Sequence, residues 1–486
     1  MPSKGLRVRR GTRGFWQVLA WTLLGSVVPG AGLVAAGRRV VGGVLLALTA
    51  ATTLLVIAFA VFGDPVMFAS RQILAYPQRL TNVAAAMLGL ALGWAVIVIG
   101  THTSLRRVSE LNRPQRGLSA ILVASVVGGG LAAAYVGCRD ALLTRDALTS
   151  IFSTAGPLPA NGDRPDGSGG GVDPWVGKPR INTLLIGSDA GADRTGLRTD
   201  SLIVASINTR TGDSTLFSLP RNLEHVPFPP DTQQATDFPQ GFVCPQHACL
   251  INSLWQFGVE HQTSYYRGDK SPGLTATVQG VEQTLGLTID YFAMVDLRGF
   301  MQFVDAIGGL TINVAQRIPV GGHRDPNAGI ATGVTSYLEP GRQLLNGYQT
   351  LWFARSRSDS DDYERMRRQR CVIDAVIQQV DPRVVAVNLP AVLQAATDNI
   401  STNIPLKDLD LWVTLTLRIK NAQVRSLPFT NAVVNPSNPD FARIQALVRD
   451  ALRPGVTESS PGPHTPNANP TPRLDPLRAQ VSNAVC

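Results

Sequence analysis

Four long apolar stretches lie ahead of residue 137: Phe15–Ala36, Val40–Phe62, Val83–Gly100 and Leu118–Val136. Each approaches the ~20 residues that cross a ~30 Å hydrocarbon core as a helix. In lipid a backbone must satisfy its own hydrogen bonds, so stretches of this kind fold as helices. No plausible signal-peptidase site with a soluble chain behind it follows any of them, so they read as retained membrane helices. The placement of charge supports this. Residues 1–116 carry 13 Lys/Arg against 2 acids, the remainder 31 against 33, and the whole chain is +9. A basic chain usually points to nucleic acid, but here the basic residues flank apolar segments, so a membrane fits and no nucleic-acid partner is expected.

Lys4, Arg7, Arg9, Arg10 and Arg13 form a cytoplasmic-type anchor, and Arg106, Arg107, Arg113 and Arg116 place the loop Leu105–Arg116 on the same side. The loop Gly63–Thr81 has only Arg71 and Arg79 and fits the outside. The first apolar stretch is interrupted by Pro29, Gly30 and Gly32. It reads as a broken or re-entrant helix with both ends inside, which gives three full spans; four full spans would put the N-terminal arginines outside. Either way the chain is a multi-pass protein of the cell membrane whose downstream half is extracytoplasmic. The expected organisation is a basic N-terminus at 1–14, a membrane region of three or four helices at 15–137 and a linker at 138–180. A globular domain at 181–454 and a disordered, Pro-rich tail at 455–486 follow. The linker contains Gly-Pro, Asn-Gly and Ser168-Gly-Gly-Gly, the composition of a flexible tether.

Within the globular part, Ile181–Ile186, Ser201–Asn208 and Ser214–Leu219 are short, rich in Ile, Leu, Val and Thr, and bounded by turn formers, so they read as strands. Thr209–Asp213 suits a tight antiparallel return. If all three pair antiparallel, Asp189, Asp200 and Arg221 fall at one end of the sheet, with Arg198 beside Asp200. Two carboxylates and two guanidinium groups there suit a hard divalent cation next to a phosphorylated substrate. Solvated charges at hairpin turns are the plainer alternative. Further on, Leu274, Val278, Val281 and Leu285 have helical spacing. Ile289–Val295 reads as a strand, Phe300–Ile307 as a helix and Leu310–Val314 as a strand. This alternation predicts an α/β layered domain with a mixed central sheet.

Leu351–Arg357 reads as an extended strand on which Leu351, Phe353, Arg355 and Arg357 share one face. A helix from about Asp362 would put Arg365, Arg368 and Gln369 on one face. Six arginines lie between 355 and 370, interleaved with Asp359, Asp361, Asp362 and Glu364, so a salt-bridged helix start competes with an anion site. Cys244 and Cys249 bracket Pro245 and His247. A local disulfide, a zinc site using His247 and two free thiols all remain open.

Taken together, LLIGSD at 184–189, RTDSLIVASIN at 198–208, SLPRN at 218–222, GLTIDYFAMVDLRGFMQFVDAIGGLTINV at 286–314, LNGYQTLWFARSR at 345–357 and DYERMRRQ at 362–369 resemble the LytR-CpsA-Psr phosphotransferases of Gram-positive and actinobacterial envelopes. The blocks occur in the family's order, and the Ala/Arg/Gly/Val bias has an actinobacterial look. The resemblance implies an α/β/α fold with an apolar tunnel for a polyprenyl chain. It also implies Mg²⁺ (or Mn²⁺) held by Asp189 and Asp200. Arg198, Arg221, Arg355, Arg357 and Arg365 would grip a pyrophosphate with the help of Gln369, and Arg368 matches a family arginine with no assigned role. Asn222 stands where Asp is usual, Arg370 where Gln is common, and CLINSLW at 249–255 replaces GKINAAY, which loses a lysine at Leu250.

The activity implied is transfer of a glycopolymer from a polyprenyl-pyrophosphate carrier to peptidoglycan, with formation of a phosphodiester. Partners would be the lipid-linked glycopolymer, the peptidoglycan acceptor and membrane lipid. A pyrophosphatase using water as acceptor, or a non-catalytic regulator of envelope assembly, are the alternatives. No Gly-rich nucleotide loop with a lysine is present, as suits a substrate already activated as a lipid pyrophosphate. No general base is evident.

Overall fold

A computed structural model describes residues 12–63, 76–109, 111–153, 177–189, 197–324, 331–356, 362–380, 399–405 and 408–453. The expected flexible stretch at 154–176 and the tail beyond 453 lie outside the described residues. The chain divides into two compact units, Met1–Asp146 and Ala147–Cys486.

The first unit is helical. Helices α1 (Thr12–Val27) and α2 (Ala31–Ala35) make up the first apolar stretch, followed by α3 (Arg39–Phe62), α4 (Arg79–Val108) and α5 (Arg113–Ser153). Among the described residues, three helices are long and apolar enough to cross a membrane: Arg39–Phe62, Arg79–Val108 and Arg113–Thr149. The first stretch is indeed broken. Gly30 sits at φ 102°, which favours glycine, and neither of the two pieces reaches spanning length. Carbonyls around the break find side-chain donors: Trp94 Nε1 donates to Ser26 O at 2.8 Å and Thr49 Oγ1 to Pro29 O at 3.4 Å. One boundary differs from the expectation. Helix α5 runs on to Ser153, so the segment from 138 begins as helix rather than as linker. Its residues Ala141, Leu142, Leu143 and Ala147 sustain the helix past the point where arginine and aspartate appear, since leaving hydrocarbon does not by itself end a helix.

The second unit is a three-layer α/β/α domain around a six-stranded mixed sheet. Its first strands are β1 (Arg180–Ser188), β2 (Thr199–Asn208), β3 (Ser214–Leu219) and β4 (Tyr291–Val295), with β9 (Ile400–Thr402) and β10 (Val424–Pro428) at the edges. The order is β10-β3-β2-β1-β4-β9. The β1–β2 and β2–β3 pairs are antiparallel, as the sequence predicts, while β1–β4 and β3–β10 are parallel. Both faces are covered, which is why β2 reads as a nearly unbroken apolar run. On one face Leu184, Val204 and Phe217 join a core with helices Leu254–Glu260, α6 (Pro272–Leu285) and Phe441–Ala451. On the other, Ile181, Ile203, Ile207 and Leu216 meet Leu415 of helix Leu409–Lys420.

A smaller core lies beside this sheet. Helix α7 (Leu297–Ala306) is followed by the antiparallel pairs β5 (Leu310–Val314) with β8 (Gly341–Leu345) and β6 (Ile318–Arg324) with β7 (Ala331–Leu338). Helices α8 (Gly347–Arg355) and α9 (Asp362–Gln379) complete it. The expected strand at Leu351–Arg357 is a helix up to Arg355. The cause is local: Asn346 accepts from Gln349 N at 2.9 Å while Gln349 Oε1 accepts from Asn346 N at 3.1 Å, a reciprocal cap that starts a helix. Gly347 makes its close docking possible, since a Cβ there would meet Met301 O at 2.0 Å.

Candidate active site

Three walls enclose a cavity of about 730 Å³ in the second unit: the sheet face at β1, β2 and β4, helix α7, and helices α8 and α9. Its wall is graded by helical periodicity. Arg365, Gln369, Val372, Ile373, Val376 and Ile377 of α9 all line it, and their spacing puts them on one face of the helix. Two polar side chains come first and four apolar ones follow. Leu297, Phe300 and Phe303 of α7, with Leu185, Ile203 and Val295 from the sheet, continue the apolar part.

The charged end forms where strands terminate. Arg198 N donates to Asp189 Oδ1 at 2.9 Å, and Asp189 N donates back to Arg198 O at 3.2 Å. The β1–β2 ladder slips here: Gly187 pairs with Ser201 but Ser188 with Thr199. Asp200 is therefore the extra residue of a β-bulge, the device that redirects a side chain out of the normal alternation. Its Oδ1 accepts from Arg221 Nη1 at 3.0 Å, and its backbone carbonyl accepts from Arg365 Nη1 at 2.8 Å. Arg365 is only 3% exposed. A guanidinium buried that far needs acceptors around it, and a carbonyl on the site's own strand is one of them. Arg355, at the C-terminal end of α8, lies with its guanidinium carbon 5.2 Å from the Trp352 ring centroid, and both line the cavity.

Of the residues singled out from sequence, Asp189, Asp200, Arg198, Arg221, Arg355, Arg365 and Gln369 come together on this cavity. Arg357 lies outside the described residues. Because Leu351–Arg355 is helical, the shared strand face for Leu351, Phe353 and Arg355 does not exist; Leu351 and Arg355 reach the cavity one helical turn apart instead. Arg368 is not on the cavity wall. It is buried and donates to the carbonyl of Ser356, holding the chain just after α8. Burial, and then neighbouring Arg367, hold Arg370 down to about 10, so it stays charged at neutral pH. Asp296 also lines the cavity, where it caps α7 by accepting from Gly299 N at 2.7 Å. Its signal, an Asp ahead of an amphipathic run, was present in the sequence. Phe300, Phe303 and Trp352, which also line the cavity, carry no such signal, because periodicity does not distinguish a cavity wall from a packed interior.

Among the described residues, no trio of His, Cys, Asp or Glu gathers for a metal. Asp189 and Asp200 give an all-oxygen, anionic donor pair on the cavity. That fits Mg²⁺, which is commonly held by one or two carboxylates together with substrate phosphate and water. Cys244 and Cys249 are joined, with Cα atoms 5.4 Å apart, which decides among the three readings left open for them.

The cavity thus has arginines and aspartates at one end and aliphatic and aromatic walls beyond. The LytR_cpsA_psr family profile matches residues 170–445, more than half of the chain. The chain belongs to that family. Biofilm regulatory protein A of Streptococcus mutans is 26% identical over 247 residues, 49% of this chain and 54% of that protein. The polyisoprenyl-teichoic acid–peptidoglycan teichoic acid transferase TagU of Oceanobacillus iheyensis is 28% identical over 239 residues, 49% and 63% of the two chains. The cell wall biosynthesis protein LcpA of Corynebacterium glutamicum is 23% identical over 361 residues, 67% and 66%. The chain thus spans about half to two thirds of the length of these relatives.

Proposed function

We propose that this protein is a membrane-anchored phosphotransferase that moves a glycopolymer from a polyprenyl-pyrophosphate carrier onto peptidoglycan. The observation that carries the reading is the graded cavity: apolar walls suit a polyprenyl chain, and the arginine-rich end suits its pyrophosphate. Planar guanidinium groups bind phosphate oxygens bidentately. Arg198, Arg221, Arg355 and Arg365 would hold the diphosphate with Gln369, and Arg357 is assigned to the same task by the family pattern. Asp189 and Asp200 would hold Mg²⁺ or Mn²⁺, which supplies neutralisation of phosphate charge. An acceptor hydroxyl on the peptidoglycan attacks the phosphorus bearing the glycan. The bond to the second phosphate breaks, polyprenyl phosphate leaves, and the hydroxyl proton passes to solvent. Chemistry of this kind rests on positioning and charge neutralisation, with no covalent protein intermediate.

The name of the TagU relative supports both the carrier and the acceptor. The three long apolar helices support membrane anchoring, and the Cys244–Cys249 disulfide favours an oxidising, extracytoplasmic placement of the second unit. The test is incubation of the full-length protein in detergent with a polyprenyl-pyrophosphate-linked glycan, with and without peptidoglycan. Glycan attached to peptidoglycan and release of polyprenyl phosphate are expected. Equal release without peptidoglycan would assign a pyrophosphatase instead, and no turnover in either arm would overturn the enzymatic reading. Which glycopolymer is carried would follow from mass analysis of lipids co-purified from the native membrane.

A further inference from the structure

The segment that carries Arg221 is not supported by the sheet alone. Beyond β3 the chain from Arg221 to Val226 is stitched to both legs of the loop that the Cys244–Cys249 disulfide closes. On one leg, Phe242 N donates to Val226 O at 2.8 Å. On the other, Ile251 N donates to Leu223 O at 2.8 Å and Asn252 N to Arg221 O itself at 3.3 Å. The apex is tied down as well, with His247 Nδ1 2.7 Å from Glu224 Oε2. Leu223, Val226, Phe242 and Ile251 are buried in one core that the two strips of chain share. The loop achieves this with Gln246 at φ 62° and His247 at φ 54°, two consecutive non-glycine residues in the left-handed region. Such backbone is held only where the surroundings over-determine it. The disulfide and the His247–Glu224 contact both constrain it here.

We propose that the Cys244–Cys249 loop is a strap that positions Arg221 at the phosphate end of the cavity. Its cysteines, with His247 and Glu224, are positioning residues for anion binding. The inference rests on Arg221 meeting phosphate, as in the function proposed above. It gives a role to the stretch CLINSLW, whose Cys249 closes the loop and whose Asn252 N donates to Arg221 O. With the strap open, Arg221 keeps its charge and its partner Asp200 but loses the backbone support that fixes its approach. Displacing a binding group by about 1 Å costs up to ~10²-fold in a preorganised site.

The test measures affinity of the full-length protein in detergent micelles for geranylgeranyl pyrophosphate with Mg²⁺. Four forms are compared: wild type, Arg221→Ala, Cys244→Ser/Cys249→Ser and the triple variant, with thermal melting recorded for each. Expected is a ~10–10²-fold loss of affinity in the double-cysteine variant and no further loss when the cysteine substitutions are added to Arg221→Ala. Additive losses would mean that the loop acts on something other than Arg221, which overturns the strap. Unchanged affinity in the cysteine variant beside a weakened Arg221→Ala would overturn the strap and leave the site reading standing. No effect in Arg221→Ala would remove the site reading itself. Should the double-cysteine variant fail to fold, His247→Ala, which keeps the disulfide and the core, carries the same cycle with a smaller expected loss. Additivity or no change in that cycle would count against the strap.

Discussion

Replacing Arg221 by alanine separates catalytic from structural work at the charged end of the cavity. Its ion pair with Asp200, 3.0 Å long, joins side chains that are 31% and 33% exposed. Solvent screens such a pair, so its share of folding stability is about 0–1 kcal/mol. For a domain of this size the melting temperature should fall by no more than ~2–4 °C. The loss at the transition state is larger. A preorganised donor facing developing charge is worth ~2.7–4 kcal/mol, or ~10²–10³ in rate. Arg221→Lys keeps the charge and loses the fork, and should lie between wild type and alanine. The assay follows release of polyprenyl phosphate from a lipid-linked glycan by full-length protein, with melting curves for the same preparations. Turnover close to wild type in Arg221→Ala would refute the reasoning. So would a rate loss that appears only alongside a large drop in melting temperature, because that would make Arg221 a folding residue.

Three further outcomes follow from the same geometry. Ile373→Asp sets a carboxylate on the apolar wall, where an unpaired polar group costs ~1–3 kcal/mol; binding of geranylgeranyl pyrophosphate should weaken ~10–100-fold while inorganic pyrophosphate binds as before, and equal weakening of both would speak against a lipid compartment. Gly347→Val drives a side chain into Met301 O, 2.0 Å from the ideal Cβ position, and should lower stability by ~1–3 kcal/mol in thermal unfolding; an unchanged melting curve would deny the close docking of α8 on α7. Asp189→Asn and Asp200→Asn should each abolish the Mg²⁺-dependent part of pyrophosphate binding measured by calorimetry, and retention of that dependence would remove the proposed metal role.

Much of this could be read from the chain itself. Local alternation and turn chemistry placed β1, β2 and β3 and their antiparallel order, because strand period and tight returns are short-range properties. That order alone carries Asp189, Asp200 and Arg221 to one end of a sheet. The helix near Asp362 and the shared face of Arg365 and Gln369 were equally legible, whereas Arg368, read on that same face, lies away from the cavity. The strand expected at Leu351–Arg357 failed because alternation over seven residues is weak evidence, and the reciprocal cap between Asn346 and Gln349 outweighs it. The helical start of the segment from 138 was not legible because polar residues mark where hydrocarbon stops, whereas the helix itself continues.

Sequence by itself determined which side chains are charged, where the first three strands of the sheet lie, and that apolar helices precede an α/β domain. Only tertiary structure decided how those charges are used. The bulge that redirects Asp200 depends on a mismatch between two strands, and the removal of Arg368 from the cavity depends on the carbonyl of Ser356. Likewise, the gathering of Arg355, from one helix, with Arg365, from another, depends on how α8 and α9 pack on the sheet. These relations join residues up to 165 positions apart, as between Asp200 and Arg365. Local periodicity holds no record of them, because they are fixed by the packing of layers against one another.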